Sequence, residues 1–191
     1  MIESISKIDQ DLFLWFNKHH HPIVDEIMVF ISGKYEWIPL YVLLLFFVYK
    51  KYNKQTVWIL LGAALTVTLA DQFSVHFFKD VFQRYRPCHN LEIGELVHIV
   101  NGKCGGKYGF VSSHAANSFG IATFIGFLLK NKSKVYPVVL LLLWAGIVSY
   151  SRIYLGVHYP ADIFIGGLLG FSIGFSVYKF VLFLIKKFPI R

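Results

Sequence analysis

Apolar residues run in long blocks along this chain, separated by short polar clusters. The blocks at 37–49, 57–78, 115–129, 135–150 and 163–185 are dominated by Leu, Val, Ile, Phe, Ala and Gly. About 20 apolar residues are needed to cross a bilayer, so these five blocks predict five transmembrane helices. The first block is short, and it can be extended backwards through 23–32 across a break at Gly33-Lys34. The last carries Gly166, Gly167, Gly170 and Gly174, at spacings that let helices approach closely in lipid. Ahead of the blocks, Ile5, Ile8, Leu12, Trp15 and Phe16 recur every three or four residues. That period predicts a helix lying in the membrane interface. Pro22, with Asp25 and Glu26 just after it, suits the first turn of a second helix. The expected fold is all-α: a polytopic transmembrane helical bundle of about five spans plus N-terminal interfacial helices.

Composition agrees with the pattern. Of 191 residues, 55% are hydrophobic and only 16% charged, against about 25% charged in an ordinary soluble domain. Mean hydropathy is +0.54. The length predicts one domain spanning 1–191. Segment 1–18 is not read as a signal peptide, because Glu3, Asp9, Asp11 and two lysines interrupt its apolar residues. Cys88 and Cys104 lie in one polar stretch. They are either two free thiols or a disulfide closing a loop on an oxidising side of the membrane. The triplet His19-His20-His21 offers imidazoles, but consecutive side chains do not share one helix face. A solvated turn is expected there, not a metal site.

The net charge of +8 acquires meaning only once the basic residues are placed across the membrane. Lys50, Lys51 and Lys54 follow the first block, Lys130, Lys132 and Lys134 divide the third from the fourth, and Lys186, Lys187 and Arg191 end the chain. Alternating spans put these clusters on one side, which the positive-inside rule makes cytoplasmic. The opposite side then holds the polar stretch 84–113 and the turn 151–162. It still carries Lys79, Arg84, Arg86, Lys103, Lys107 and Arg152. Cations on the side where the rule disfavours them call for an anionic ligand, and in this setting a lipid phosphate answers better than a nucleic acid.

Three clusters face that outer side. In the first, Lys79 and Arg86 stand seven residues apart, which on a continuous helix is two turns and one face. Taken alone, Lys79 reads as a lysine snorkelling from the end of a span. In the second, Ser112 and Ser113 open the third span, where free N–H groups form an anion site; alone they read as helix caps. His114 follows directly, and by itself is an ordinary interfacial histidine. In the third, Arg152 supplies a planar guanidinium for phosphate. His158 and Asp162 meet across the first turn of a helix if Pro160 opens it. A carboxylate on one ring nitrogen fixes the tautomer and leaves the other as a nucleophile. Converging on one side, these residues form the kit of phosphoryl transfer: cations and N–H donors for the charge, one histidine to attack and another to protonate.

The pattern Lys79-x6-Arg86-Pro87, then Ser112-Ser113-His114, then Ser151-Arg152-x5-His158-x3-Asp162 resembles the type 2 phosphatidic acid phosphatase superfamily. One departure stands out: the family's Pro-Ser-Gly-His reads Val111-Ser112-Ser113-His114 here. The resemblance implies a bundle of membrane helices and a lipid phosphatase needing neither metal nor cofactor. It implies His158 as nucleophile forming a phosphohistidine, Asp162 as its orienting carboxylate and His114 as general acid. Lys79, Arg86, Ser112, Ser113 and Arg152 would bind phosphate, with Ser151 in support. The substrates it implies are phosphatidate, phosphatidylglycerol phosphate, undecaprenyl diphosphate or the phosphates of lipid A. In a bacterial cell the expected place is the inner (plasma) membrane, with the site facing the periplasm. The loop 88–109 and the N-terminal helices are expected to form the head-group pocket. Asp71, inside the second span, is expected to support a cation or hydroxyl of the site or to pair with another helix, since ionisable groups there are functional or paired. Two other classes share the cations. A lipid phosphotransferase uses an alcohol in place of water, and a lipid-binding protein needs neither histidine.

Overall fold

The computed structural model describes residues 2–131 and 135–190, with side chains from residue 6 onward. Two helices come first, α1 (Ile2–Asn17) and α2 (Pro22–Ser32). Five apolar helices follow: α3 (Ile38–Tyr52), α4 (Thr56–Gln72), α6 (Ser113–Leu129), α7 (Tyr136–Tyr154) and α8 (Pro160–Lys187). The helix of α4 continues through a π-helical segment, Phe73–Lys79, and ends in the single turn α5 (Asp80–Phe82). By length and composition three helical stretches can cross a membrane, Ile38–Phe82, Tyr136–Tyr154 and Pro160–Lys187, while α6 is apolar but shorter. The first stretch holds 45 residues, about twice what one pass needs. Asn53, at φ 50°, breaks it into α3 and α4. These two helices then flank one cavity, with Leu45 and Leu60 both in its wall.

The five expected spans are therefore present as helices, with three differences. Segment 22–32 is a helix of its own, because Gly33 stops it in an extended conformation. The helix from α4 does not run on to Arg86: it stops at Phe82, and Gln83 takes a left-handed conformation (φ 46°). Lys79 and Arg86 thus share no helix face. Finally, α7 reaches Tyr154, so Ser151 and Arg152 sit on its last turn and not in the connecting turn.

The basic clusters gather at one end. Lys51 Nζ, near the end of α3, donates to the carbonyls of Leu128 and Lys130 and to Asn131 Oδ1 at the end of α6. Gln55 and Trp58, beside the start of α4, donate to the carbonyls of Ile190 and Phe188 beyond α8. Lys132, Lys134 and Arg191 lie outside the described residues.

At the bundle's centre α6 and α8 come close enough to touch backbone to backbone. Gly166, Gly170 and Gly174 lie one turn apart on α8. A β-carbon on each would collide with the carbonyl oxygens of Ser112, Ala116 and Gly120, also one turn apart. Small residues on both helices make this approach possible in lipid, where apolar side chains gain nothing by leaving the solvent. Around the far half of α6 the core is filled by Leu44, Val48, Ile59, Phe124, Leu128, Leu141, Val177 and Val181.

The N-terminal helices lie across the opposite end. On α1, Ile8, Leu12 and Trp15 are exposed, while Phe13 is fully buried and Asp9 nearly so. Three members of the expected interfacial face, Ile8, Leu12 and Trp15, form this exposed stripe, whereas Phe16 is half-buried against Tyr150, with ring centroids 5.8 Å apart; the side chain of Ile5 lies outside the described residues. Asn17 is buried and pins this layer down, with Nδ2 donating to the Tyr154 and His98 carbonyls and Oδ1 accepting from His98 N–H. The His19-His20-His21 turn is exposed. There His20 stacks on His98 at 3.7 Å, and His21 caps α2.

Overpacking a tight contact costs about 1–3 kcal/mol, and about 2–4 °C of Tm accompanies each kcal/mol at this size. Gly170→Val is expected to lower the unfolding temperature in detergent by about 5 °C or more. At Gly146 on α7 an added β-carbon meets nothing within 4 Å, and Gly146→Ala is expected to leave it unchanged or raised. Equal losses at both positions would count against the close approach of α6 and α8.

Candidate active site

The three polar clusters meet at the end of the bundle away from the lysines. The π-helical winding delivers the first. Its i→i+5 bonding places residues five apart on one side, and Ser74 and Lys79 are five apart. Ser113 Oγ lies between them, 2.6 Å from Lys79 Nζ, which donates to it, and 2.7 Å from Ser74 Oγ. Ser113 stands where the superfamily pattern has glycine, so its hydroxyl ties Lys79 to the start of α6. Asp71, one turn earlier and partly buried, is among the charges acting on Lys79. Ser74 donates to the Asp71 carbonyl at 2.9 Å.

Arg86 arrives by a different route. After Gln83 the chain is extended, and Tyr85 pairs with Tyr108 as an isolated antiparallel bridge. Arg86 N–H donates to the Lys107 carbonyl, and Gly109 N–H to that of Arg84. Alternation along an extended segment sends Arg84 and Arg86 to one side and Tyr85 to the other. The loop is closed by the Cys88–Cys104 disulfide, with its Cα atoms 6.0 Å apart. Of the two readings of these cysteines, the bonded pair is the one found.

Ser112 is fully buried and caps α6, its Oγ accepting from Ala115 N–H at 3.4 Å and its own N–H donating to the Asp162 carbonyl at 3.1 Å. His114, in the first turn, is partly buried and within electrostatic reach of Arg152, His158, Lys34 and Arg86. Arg152 is held by the Ser32 hydroxyl of α2, and its Nε has no hydrogen-bond partner in the protein. Ser151 turns away from this cluster: it is buried and donates to the Val148 carbonyl at 2.6 Å, within α7.

The geometry around His158 fixes its tautomer. Gly156, at φ 80°, makes the turn from α7 that glycine makes at least cost. Pro160 then opens α8. Asp162 accepts from Tyr159 N–H at 3.0 Å and lies 3.2 Å from His158 Nδ1. On the other side of the ring, Arg86 Nη1 is 2.8 Å from Nε2. A guanidinium has only donors, so Nε2 is the acceptor there. In the neutral ring Nδ1 must then carry the hydrogen, and it donates to Asp162. Burial holds the His158 pKa well below its ordinary value, and the charges of Arg86, Arg152 and Lys79 push the same way. The site therefore contains a neutral imidazole with its lone pair fixed at Nε2, a carboxylate behind it and cations beside it. Gly109 packs directly on this pair; a β-carbon there would lie 3.3 Å from Asp162 Oδ2 and 3.5 Å from His158 Nδ1.

Sequence reasoning passed over several members of this constellation. Arg84 Nη1 donates to Asp162 Oδ1 at 2.9 Å, and its Nη2 to Asp9 Oδ2 at 2.7 Å. Ser74, Ser32 and Gly109 also take part. In the sequence Arg84 stands among the outer-face cations that call for an anionic ligand, with nothing to tie it to Asp162, and Asp9 is one of the charges that interrupt an amphipathic helix. Those two features, a cation on the disfavoured side and a carboxylate among the apolar residues of α1, were the available signals.

An apolar cavity of about 680 Å³ runs from His114 down between α3, α4, α6 and α7, past Lys34, Tyr41, Asn117, Trp144 and Val48. Two polar atoms on its lining residues, Asn117 Oδ1 and Trp144 Nε1, are buried and have no hydrogen-bond partner in the protein.

Known proteins resemble this chain in sequence and in fold. The family model for the PAP2 superfamily matches residues 57–186. The chain is 41% identical over 172 residues to the lipid A 4'-phosphatase of Bacteroides thetaiotaomicron, covering 89% of this chain and 75% of that protein. It is 37% identical over 185 residues to the lipid A 4'-phosphatase of Porphyromonas gingivalis, covering 95% and 76%. The crystal structure of Aquifex aeolicus LpxE superposes with a TM-score of 0.63 at 28% identity, over 88% of this chain and 93% of that one. With a family model across most of its length and relatives this similar, the chain belongs to the PAP2 superfamily and is a membrane lipid phosphatase.

Proposed function

We propose that the whole chain is a single domain that removes a phosphate from a membrane lipid through a phosphohistidine, with lipid A as the substrate class. The fixed lone pair of His158 carries this reading. Nε2 attacks phosphorus and forms the N–P bond. The P–O bond to the lipid breaks, its electron pair going to the lipid oxygen, which takes a proton from His114. The phosphate brings negative charge beside His114, favouring the imidazolium this transfer needs. Water then attacks phosphorus and gives a proton to His114, the N–P bond breaks, and phosphate leaves. Lys79, Arg86 and Arg152, with the Ser112 and Ser113 start of α6, hold the phosphate oxygens through both steps. Ser151 supports the third motif by fixing the last turn of α7. These cations do the charge neutralisation for which other phosphatases recruit a metal.

The substrate class rests on the two relatives described above, both named for lipid A; the apolar cavity of about 680 Å³ that begins at His114 offers room for acyl chains beside the site. For orientation, the lysine end faces the cytoplasm by the positive-inside rule, which puts the site at the outer face of the inner membrane.

Phosphate release by the detergent-purified protein, measured in EDTA across lipid A, phosphatidate, phosphatidylglycerol phosphate and undecaprenyl diphosphate, tests the reaction. Wild type is expected to release phosphate, most efficiently from lipid A, and His158→Ala to lose about 10⁴-fold or more in kcat. Full activity in the folded variant would sink the phosphohistidine. Asp71→Asn is expected to lose less than His158→Ala, about tenfold, because its charge reaches the phosphate only through Lys79; an equal loss would give Asp71 a direct role.

A further inference from the structure

The carboxylate behind His158 does not stand alone. Asp162 is completely buried, and a buried carboxylate persists only with a cation and hydrogen bonds around it. The guanidinium bonded to it belongs to Arg84, whose fork is shared. One Nη meets Asp162 at 2.9 Å and the other meets Asp9 of α1 at 2.7 Å. The face of the guanidinium lies on the Tyr159 ring, 4.0 Å from its centroid. Held at both prongs and across one face, Arg84 has little rotational freedom left. Asp9 is fixed too: its second oxygen accepts from the Ala161 N–H at 2.9 Å, one of the donors that the first turn of α8 leaves free. One turn along α1, Phe13 meets Tyr159 edge-on, with centroids 5.4 Å apart. An unbroken path therefore leads from α1 through Arg84 and Asp162 to His158 Nδ1.

Charge gives the path a function. Asp9, Arg84 and Asp162 together carry one net negative charge while His158 is neutral. As Nε2 attacks phosphorus, positive charge develops on the ring, and that net negative charge stabilises it. Without Asp9 the Arg84 charge falls on Asp162 alone and the potential behind the ring approaches neutral. The difference is felt where charge develops, in the transition state, and not in substrate binding.

We propose that Asp9 and Arg84 are positioning residues of phosphoryl transfer, through which helix α1 holds Asp162 against His158 and keeps the charge behind the ring negative. The proposal rests on His158 as the nucleophile. A role confined to docking α1 on the bundle predicts something different: lost stability, with no specific effect on turnover.

The test is a kinetic series in detergent micelles with lipid A as substrate: wild type, Asp9→Asn, Asp9→Glu, Arg84→Lys, the Asp9→Asn/Arg84→Lys double variant, and His158→Ala. Asp9→Asn keeps the shape and an acceptor for Ala161 while removing the charge. It is expected to lower kcat about tenfold to a hundredfold, the range seen when a group orienting a reactive residue is lost, with KM and unfolding temperature unchanged. Asp9→Glu should recover most of the loss. Adding Asp9→Asn to Arg84→Lys should cost little more, because a single ammonium no longer links the two carboxylates. If Asp9→Asn turns over within twofold of wild type while His158→Ala is inactive, the path has no catalytic role and the nucleophile assignment stands. A fall in unfolding temperature that accounts for the lost activity, without rescue by glutamate, reduces Asp9 to a docking residue and overturns the proposal. Undiminished turnover by His158→Ala removes the nucleophile assignment itself, and this proposal with it.

Discussion

Everything at the polar end depends on how closely α6 and α8 approach. Their glycine, alanine and serine positions interlock turn by turn, so backbone touches backbone over three turns. One product of that contact is the hydrogen bond from Ser112 N–H to the Asp162 carbonyl. It fixes the start of α6 against the start of α8, and so sets the second motif beside the third. A side chain larger than hydrogen on the glycine face would separate two helix ends whose functional groups act over about 3 Å. In a bilayer no hydrophobic force pulls helices together, which gives the small residues a share of the geometry of the candidate site as well as of stability.

Around that fixed pair, each remaining group is delivered by a local irregularity. A π-helical segment brings Ser74 and Lys79 to one side. A left-handed residue ends the helix at Phe82 and lets an extended segment present Arg84 and Arg86 together. Arg86 then settles the tautomer of His158 by offering nothing but donors to Nε2. Regular helices alone would have spread these side chains around the bundle.

The two N-terminal helices are built into the site and do not merely shield it. Asp9 of α1 reaches Arg84, and Ser32 of α2 reaches Arg152. The same α1 exposes Ile8, Leu12 and Trp15 along an adjoining face, suited to the interfacial layer of a bilayer. One short helix thus presents an apolar stripe on one face and reaches the support of His158 with another.

By itself, the sequence determined the membrane class, the five apolar helices and the three motifs, because all of these are written in local composition and short spacings. His158 and Asp162 were legible as a pair for the same reason: four residues on a helix opened by proline leave little choice of geometry. Period 3.6 failed at Lys79 and Arg86, where the winding changes and then stops, and the apolar block ended α7 one turn early because its last turn carries Ser151 and Arg152. Tertiary structure alone decided the partners of Arg84, Asp9, Ser74 and Ser32. Each is an unremarkable polar residue on its own segment, and hydrogen bonds between residues 75 or 120 positions apart leave no periodic trace in a chain. It also decided which nitrogen of His158 carries the proton, since that follows from a guanidinium arriving out of a distant loop and not from the histidine's own neighbours.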